Sequence, residues 1–171
     1  MVQQSSPAVA VVMGSDSDLP VMQRCVDQLK ELGIDCQARV ISAHRTPDVA
    51  HEFAATAAGR GVKVIIAAAG MSAALAGVLA SQTSLPVIGV PMISGPLGGV
   101  DAALSTMQMP PGVPVACMSI GPAGATNAAI LAAQILALGD TALATRLADF
   151  RRQQSQKVID KDRRLQEGLG T

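Results

Sequence analysis

The sequence predicts a single α/β domain in which a doubly wound parallel sheet lies between two layers of helices. Strand-like and helix-like segments alternate along the whole chain. The strand-like runs are apolar on both faces, as in Val64-Ile65-Ile66, so helices must cover both sides of the sheet. No internal repeat, low-complexity block or linker divides the 171 residues, a length that suits one domain with a sizeable core.

The elements follow in order. Residues 8–13 are a short apolar run ahead of Gly14, which reads as a buried strand and a turn. Residues 19–32 carry Leu19, Met22, Val26 and Leu29 near helical spacing and stop at Gly33, with Ser17 or Asp18 as the expected N-cap. Residues 34–41 form a second strand and 42–45 a loop. Thr46-Pro47-Asp48 then opens a helix with a cap, a proline at the first position and an acid in the first turn. Residues 62–68 are the third strand, and Gly70 turns it into a helix over about 73–81. Pro86 precedes a fourth strand at 87–90. A Gly/Pro loop at 93–99 leads to a short helix near 100–106, and the proline-rich stretch 107–114 leads to a fifth strand at 115–119. A long Ala/Leu helix spans 123–138 and closes at Gly139. Asp140 caps a last helix, so the chain from about residue 140 is mostly helical, and charged and solvated beyond Phe150.

Composition removes several function classes. Hydrophobic residues are 49% and charged residues 15%, with zero formal net charge, which excludes a disordered chain and leaves no electrostatic footprint for nucleic acid. There is no Trp or Tyr, and Phe53 and Phe150 alone cannot build a base-stacking surface. Cys25, Cys36 and Cys117 are widely spaced and the two histidines are unclustered, so reduced thiols and no dedicated metal site are expected. Residues 1–7 lack the basic and apolar regions of a secretory signal, and the uncharged run 64–80 is short, Ala-rich and broken at Gly70, so no membrane span is expected. The expected location is cytoplasmic. Between Val64 and Gly139 the only charged residue is Asp101. A monomer of this size cannot bury so long a stretch within itself, so these faces are expected to pack against other copies in an obligate homo-oligomer.

In a doubly wound sheet, ligands bind beyond the carboxyl ends of the strands. Three loops leave such ends. Gly14-Ser15-Asp16-Ser17-Asp18 offers a tight turn, hydroxyls and free N–H groups before a helix. It suits a phosphate or carboxylate, though the same residues also serve as plain caps. Ser42-Ala43-His44-Arg45-Thr46-Pro47 sets an acid/base group beside a guanidinium able to grip phosphate bidentately. His51, inside the next helix, is read as a surface residue without a role. The stretch from Ala67 to Gly77 is small and apolar; with Gly70, Ser72, Ala73 and Leu75 it can let a planar ligand approach the backbone and shut out water. Neither a GxxxxGK[ST] nor a GxGxxG pattern is present, so nucleotide-triphosphate and dinucleotide sites lack support.

Together these motifs resemble a known family. Val12-Met13-Gly14-Ser15-Asp16-Ser17-Asp18 is similar to the first signature of the PurE family, the 5-(carboxyamino)imidazole ribonucleotide mutases and aminoimidazole ribonucleotide carboxylases. Ser42-Ala43-His44-Arg45-Thr46-Pro47-Asp48 resembles its most specific motif. Gln108-Met109-Pro110-Pro111-Gly112-Val113-Pro114-Val115 and Ala125-Thr126-Asn127-Ala128-Ala129 resemble its C-terminal half, so the likeness covers roughly residues 8–155. It implies a flavodoxin-like three-layer fold, a homo-octamer, and no metal or organic cofactor. It implies that Ser15, Asp18 and Arg45 bind the phosphate and ribose of a ribonucleotide, with Ser17, Ser42, Gly14 and Ala43 nearby. It implies that His44 is the catalytic acid/base in moving a carboxyl group to C4 through carbon dioxide. The third loop departs from the mutase branch: Ala74 stands where that branch usually has His, and Ala76 where it has Pro. Ser72-x-Ala-Leu75-x-Gly77 looks more like the direct carboxylase branch, which commonly has Lys where Arg45 stands here. The expected activity is therefore the mutase. The alternatives are a carboxylase using carbon dioxide directly and, in another class, a non-catalytic module binding a phosphate-bearing ligand.

Overall fold

A computed structural model describes residues 6–169; residues 1–5, part of the stretch read as lacking a secretory signal, lie outside it. Five strands form one parallel sheet: β1 (Val9–Met13), β2 (Cys36–Val40), β3 (Val64–Ala69), β4 (Val87–Pro91) and β5 (Ala116–Cys117), in the order β2-β1-β3-β4-β5. The helices are α1 (Leu19–Glu31), α2 (Pro47–Ala57), α3 (Leu75–Ala80), α4 (Val100–Met107), α5 (Pro122–Ala137) and α6 (Thr141–Leu169). Successive strand residues point to opposite faces. Val9, Val11 and Met13 of β1 therefore join Ile66 and Ala68 of β3 under α1, α5 and the start of α6. Ala10 and Val12 join Ile65 and Ala67 under α2 and α3. These are the two cores of the expected three-layer α/β fold.

Several boundaries differ from expectation, each for a local reason. β2 starts at Cys36 because the preceding residues close α1. Gly33, at φ +70°, donates its N–H to Lys30 O (2.9 Å), and Ile34 donates to Leu29 O (2.9 Å), the two bonds of a Schellman motif. α3 starts at Leu75 because Ala73 and Ala74 donate to the carbonyls of Met71 and Ser72, only two residues back. β5 shrinks to two residues on the sheet edge, paired only with β4. Neither Ser17 nor Asp18 caps α1 through a side chain. Ser15 instead caps a short 3-10 turn at Asp16–Asp18, accepting from the Ser17 N–H. Thr46 likewise makes no side-chain cap to α2. Asp140 does cap α6, its Oδ1 accepting from Leu143 N–H at 3.0 Å.

α5 reaches the sheet through small residues: Gly124, Ala125, Ala128, Ala129, Ala132 and Ala133 are all buried. A Cβ on Gly124 would lie 1.7 Å from the Ser119 carbonyl oxygen, so that position requires glycine for close approach. On α6, Leu143 and Leu147 are buried, Arg146 Nε donates to Leu32 O (2.9 Å), and the helix beyond Phe150 is almost wholly exposed. α4 turns Val100 (54% exposed), Leu104 (48%) and Met107 (55%) outward at positions i, i+4 and i+7, beside the exposed Ile93 and Leu97. No helix among the described residues is long and apolar enough to cross a membrane.

Gly124→Ala is expected to lower unfolding stability by about 1–3 kcal/mol through overpacking against backbone. Gly139→Ala, where an added Cβ meets nothing within 4 Å, should change it by under about 0.5 kcal/mol. Urea unfolding of the two variants beside wild type checks the contrast.

Candidate active site

The carboxyl ends of β1, β2, β3 and β4 lie on one edge of the sheet, and the loops leaving them enclose a cleft of about 580 Å³. β1 and β3 are neighbours, yet the chain leaves β1 for α1 on one face and β3 for α3 on the other. The loops diverge there, and the gap between them is the cleft.

Each loop begins as an extension of the ladder. Gly14 N–H donates to Ala68 O (2.9 Å), Ile41 N–H to Met13 O (2.9 Å) and Met92 N–H to Ala69 O (2.9 Å). In the first loop, Ser15 Oγ accepts from Ser17 N–H (3.3 Å) and from Ser17 Oγ (2.8 Å), and itself donates to Asp16 Oδ1 (3.2 Å). Two hydroxyls and a turn of backbone amides thus face the cleft, a polar cradle of the kind that holds an oxyanion. In the second loop, Ser42 Oγ accepts from Arg45 N–H (3.2 Å), and His44 and Arg45 stand exposed on the cleft wall. Arg45 also borders a side recess shared with Ser15, Asp16 and Thr46, which sets it beside the oxygen-rich first loop. The third loop supplies the apolar wall: Gly70, Ser72, Ala73 and Leu75 all line the cleft.

The twelve residues singled out from sequence therefore meet in one place: Gly14, Ser15, Ser17 and Asp18; Ser42, Ala43, His44 and Arg45; Gly70, Ser72, Ala73 and Leu75. His51 lies exposed on α2, away from them. Four further residues line the cleft that sequence reasoning did not single out as contacts: Ala69, Met71, Ala74 and Ser94. Ser94 comes from the loop after β4. A Cβ on Gly70 would lie 1.9 Å from Ser94 Oγ, so glycine at 70 is what lets this hydroxyl sit at the cleft. The signal for it was available, because β4 ends on the same edge as the other three strands. Met71 is the one non-glycine residue with positive φ (55°) among the described residues, a conformation that costs energy and concentrates at functional sites.

Electrostatically the cleft pairs one guanidinium, Arg45, with one carboxylate, Asp18. Asp18 is buried, and burial raises its carboxyl pKa; a Ser15 backbone hydrogen bond lowers it and the Asp16 charge raises it further. Among the described residues no three His, Cys, Asp or Glu side chains converge as a metal site. The cysteines lie outside the cleft, and burial, with Cys36 nearby, pushes the Cys25 thiol up to about 12.

The raised Asp18 value carries a stability consequence. Below the ordinary value of 3.8 both folded and unfolded chains hold the proton. As pH rises past that value the unfolded chain ionises first, so folding stability falls until the folded carboxyl has ionised too. At pH 7 an ionised, half-desolvated Asp18 therefore costs stability. Ligand-free Asp18→Asn is expected to unfold at higher temperature than wild type at pH 7, with the gap closing as pH falls towards 3.8. Thermal unfolding across that range reads it, and equal melting temperatures at pH 7 contradict it.

Comparison with known proteins shows the family to which this fold belongs. The family model described as AIR carboxylase matches residues 8–157. A relative in Haemophilus influenzae named N5-carboxyaminoimidazole ribonucleotide mutase is 53% identical over 152 residues, covering 89% of this chain and 93% of that protein. One in Bacillus subtilis with the same name is 51% identical over 159 residues, covering 93% and 98%. The solved structure of Treponema denticola PurE superposes with a TM-score of 0.83 at 30% identity, covering 92% of this chain and 97% of that one. The matched span contains every strand of the sheet and every loop of the cleft, and the chain belongs to the AIR carboxylase family.

Proposed function

We propose that this chain is an N5-carboxyaminoimidazole ribonucleotide mutase of purine biosynthesis, an isomerase that moves a carboxyl group from the exocyclic nitrogen to C4 of the aminoimidazole ring. One observation carries the reading: His44, Arg45 and the Ser15–Asp18 cradle face one cleft in a chain about half identical to proteins of that name along nine-tenths of its length. Ser15, Ser17 and Arg45 hold the phosphate, and Asp18 accepts from ribose hydroxyls. Ser42, Ala43, Gly14 and the third-loop residues Gly70, Ser72, Ala73 and Leu75 close around the base.

The proton count suits a single imidazole. Cleaving the N-carboxylate leaves carbon dioxide and a nitrogen that needs one proton. The amino-imidazole is an enamine, so its C4 attacks the trapped carbon dioxide and must then shed one proton. His44 as acid in the first half and base in the second ends where it began. Acid–base help contributes about 10²–10⁴-fold. Orientation and water exclusion by the small third loop supply the remainder, and neither ATP nor a metal enters the scheme.

Assembly and location complete the proposal. The exposed apolar stripe of α4, with Ile93 and Leu97, is too contiguous to stand in water and fits a subunit interface. The assembly is read as a homo-octamer acting in the cytoplasm on a free ribonucleotide, without nucleic acid or membrane.

His44→Asn is expected to fold and to bind nucleotide within a few-fold of wild type while losing about 10²–10⁴-fold in kcat. Near-normal turnover would remove the mechanism and leave the binding-module alternative. Supplying aminoimidazole ribonucleotide with bicarbonate, against the N-carboxylated nucleotide, separates mutase from direct carboxylase; the mutase turns over the second far more efficiently. Leu104→Glu places a charge on the α4 stripe and is expected to shift the protein to smaller species in sedimentation velocity, with no change if that face is free in the assembly.

A further inference from the structure

We infer that Thr46 is a positioning residue for His44, its hydroxyl spent on shaping the catalytic loop rather than on capping α2. The inference rests on the proposed role of His44.

Thr46 occupies the N-cap position of α2 and is of the type that accepts a hydrogen bond from the first-turn amides. It makes none: its carbonyl receives the Ala50 N–H (3.1 Å), but its side chain turns back to Ser42. There Oγ1 donates to Ser42 O (2.9 Å) and accepts from Ser42 N–H (3.1 Å), and the Thr46 N–H also donates to Ser42 O (2.8 Å). With Arg45 N–H on Ser42 Oγ (3.2 Å), residues 42 and 46 close a ring around Ala43, His44 and Arg45.

Both ends of this clamp are anchored. Ile41, just before it, donates to Met13 O on β1, and Ala50 and Phe53, just after it, are buried in the core. Between these anchors Ala43 is partly buried, and His44 and Arg45 are exposed, their side chains held by no hydrogen bond among the described residues. The direction of the imidazole is thus set by the backbone of the ring, and one hydroxyl that both gives and accepts makes two of the four hydrogen bonds that close it. A hydroxyl taken from its usual capping duty is what a local rule broken for function looks like.

The test is a double-mutant cycle on the intact enzyme under single-turnover conditions, using Thr46→Val, Thr46→Ser and His44→Asn. Thr46→Val keeps shape and loses the hydroxyl; it is expected to cut the rate of the chemical step about 10- to 100-fold, the scale of a small misplacement of a reacting group. Thr46→Ser, which keeps the hydroxyl, should stay within about threefold of wild type. In the His44→Asn background, Thr46→Val should cost less than about twofold more, because a residue acting through His44 has nothing left to position. An equal fold-loss in both backgrounds, a loss in Thr46→Ser as large as in Thr46→Val, or wild-type rate in Thr46→Val each overturns the inference. If Thr46→Val does not fold, Thr46→Ala goes through the same cycle. If His44→Asn itself turns over normally, the His44 role fails and this inference with it; if His44→Asn is impaired and Thr46→Val is not, only this inference fails.

Discussion

The cleft depends on a single topological constraint: two strands that lie side by side send the chain to opposite faces of the sheet. β1 and β3 are paired residue for residue from Val9↔Val64 to Met13↔Ala68, so their carboxyl ends are one strand spacing apart, about 4.8 Å. Had both chains turned to the same side, the first helical turns would fill the space above the sheet. Because α1 packs with Met22, Cys25 and Leu29 on one core and α3 with Leu75, Ala76 and Leu79 on the other, the space stays open. Its walls are then amides, hydroxyls and small side chains, since those are what strand-to-helix turns contain. A cleft lined by amides and hydroxyls at this edge follows from the fold before any particular chemistry is placed in it.

Holding four loops to one geometry needs a rigid base, and the chain builds it from small residues. Ala and Gly on α5 bring that helix close to the sheet, and Ala67, Ala68 and Ala69 end β3 with side chains too short to intrude on the cleft. Gly70 continues the pattern by making room for Ser94. A core of this kind has little side-chain entropy to lose and few rotamers to choose among, which suits a scaffold that must keep hydrogen-bonding groups aligned. The same economy leaves α4 with an outward apolar stripe, Val100, Leu104 and Met107, which the core of this chain does not cover.

How much of this was legible in the sequence varies with the physics behind each feature. Layer order and strand existence were legible, because they rest on long apolar patterns that tertiary packing reinforces. The strand ends were not, since Gly33-Ile34 served either a strand or a helix closure and only the Schellman bonds decide. The cleft residues of three loops were legible from Gly, Ser, His and Arg at strand exits. Ser94 was missed although β4 ends on the same edge: the loop's place was legible, but Gly95, Pro96, Gly98 and Gly99 read as a generic turn and nothing local singles out the serine packed against Gly70. The partners of Ser15 and Thr46 escaped for a related reason. A hydroxyl near a helix start has several backbone groups within reach, and residue type alone does not choose between them.

The distribution of these surprises has its own meaning. At the amino-terminal edge of the sheet, local rules hold: Gly33 closes α1 in the left-handed conformation and Asp140 caps α6. At the carboxyl edge they fail repeatedly, in and beside one cleft. Thr46 declines to cap, Ser15 caps a 3-10 turn ahead of the expected helix, Met71 takes a left-handed backbone without being glycine, and Asp18 keeps a carboxylate where burial disfavours its charge. Thr46 and Ser15 keep hydrogen bonds in their new places, but the Met71 backbone and the buried Asp18 charge cost stability, and none of the four improves the packing of the core. A strained backbone at Met71 and a disfavoured charge at Asp18, beside hydroxyls drawn into the loops at Ser15 and Thr46, are hard to maintain unless the cleft does something that a merely stable fold would not need. On that ground the carboxyl edge would be identified as the working part of the molecule even if no relative of it were known.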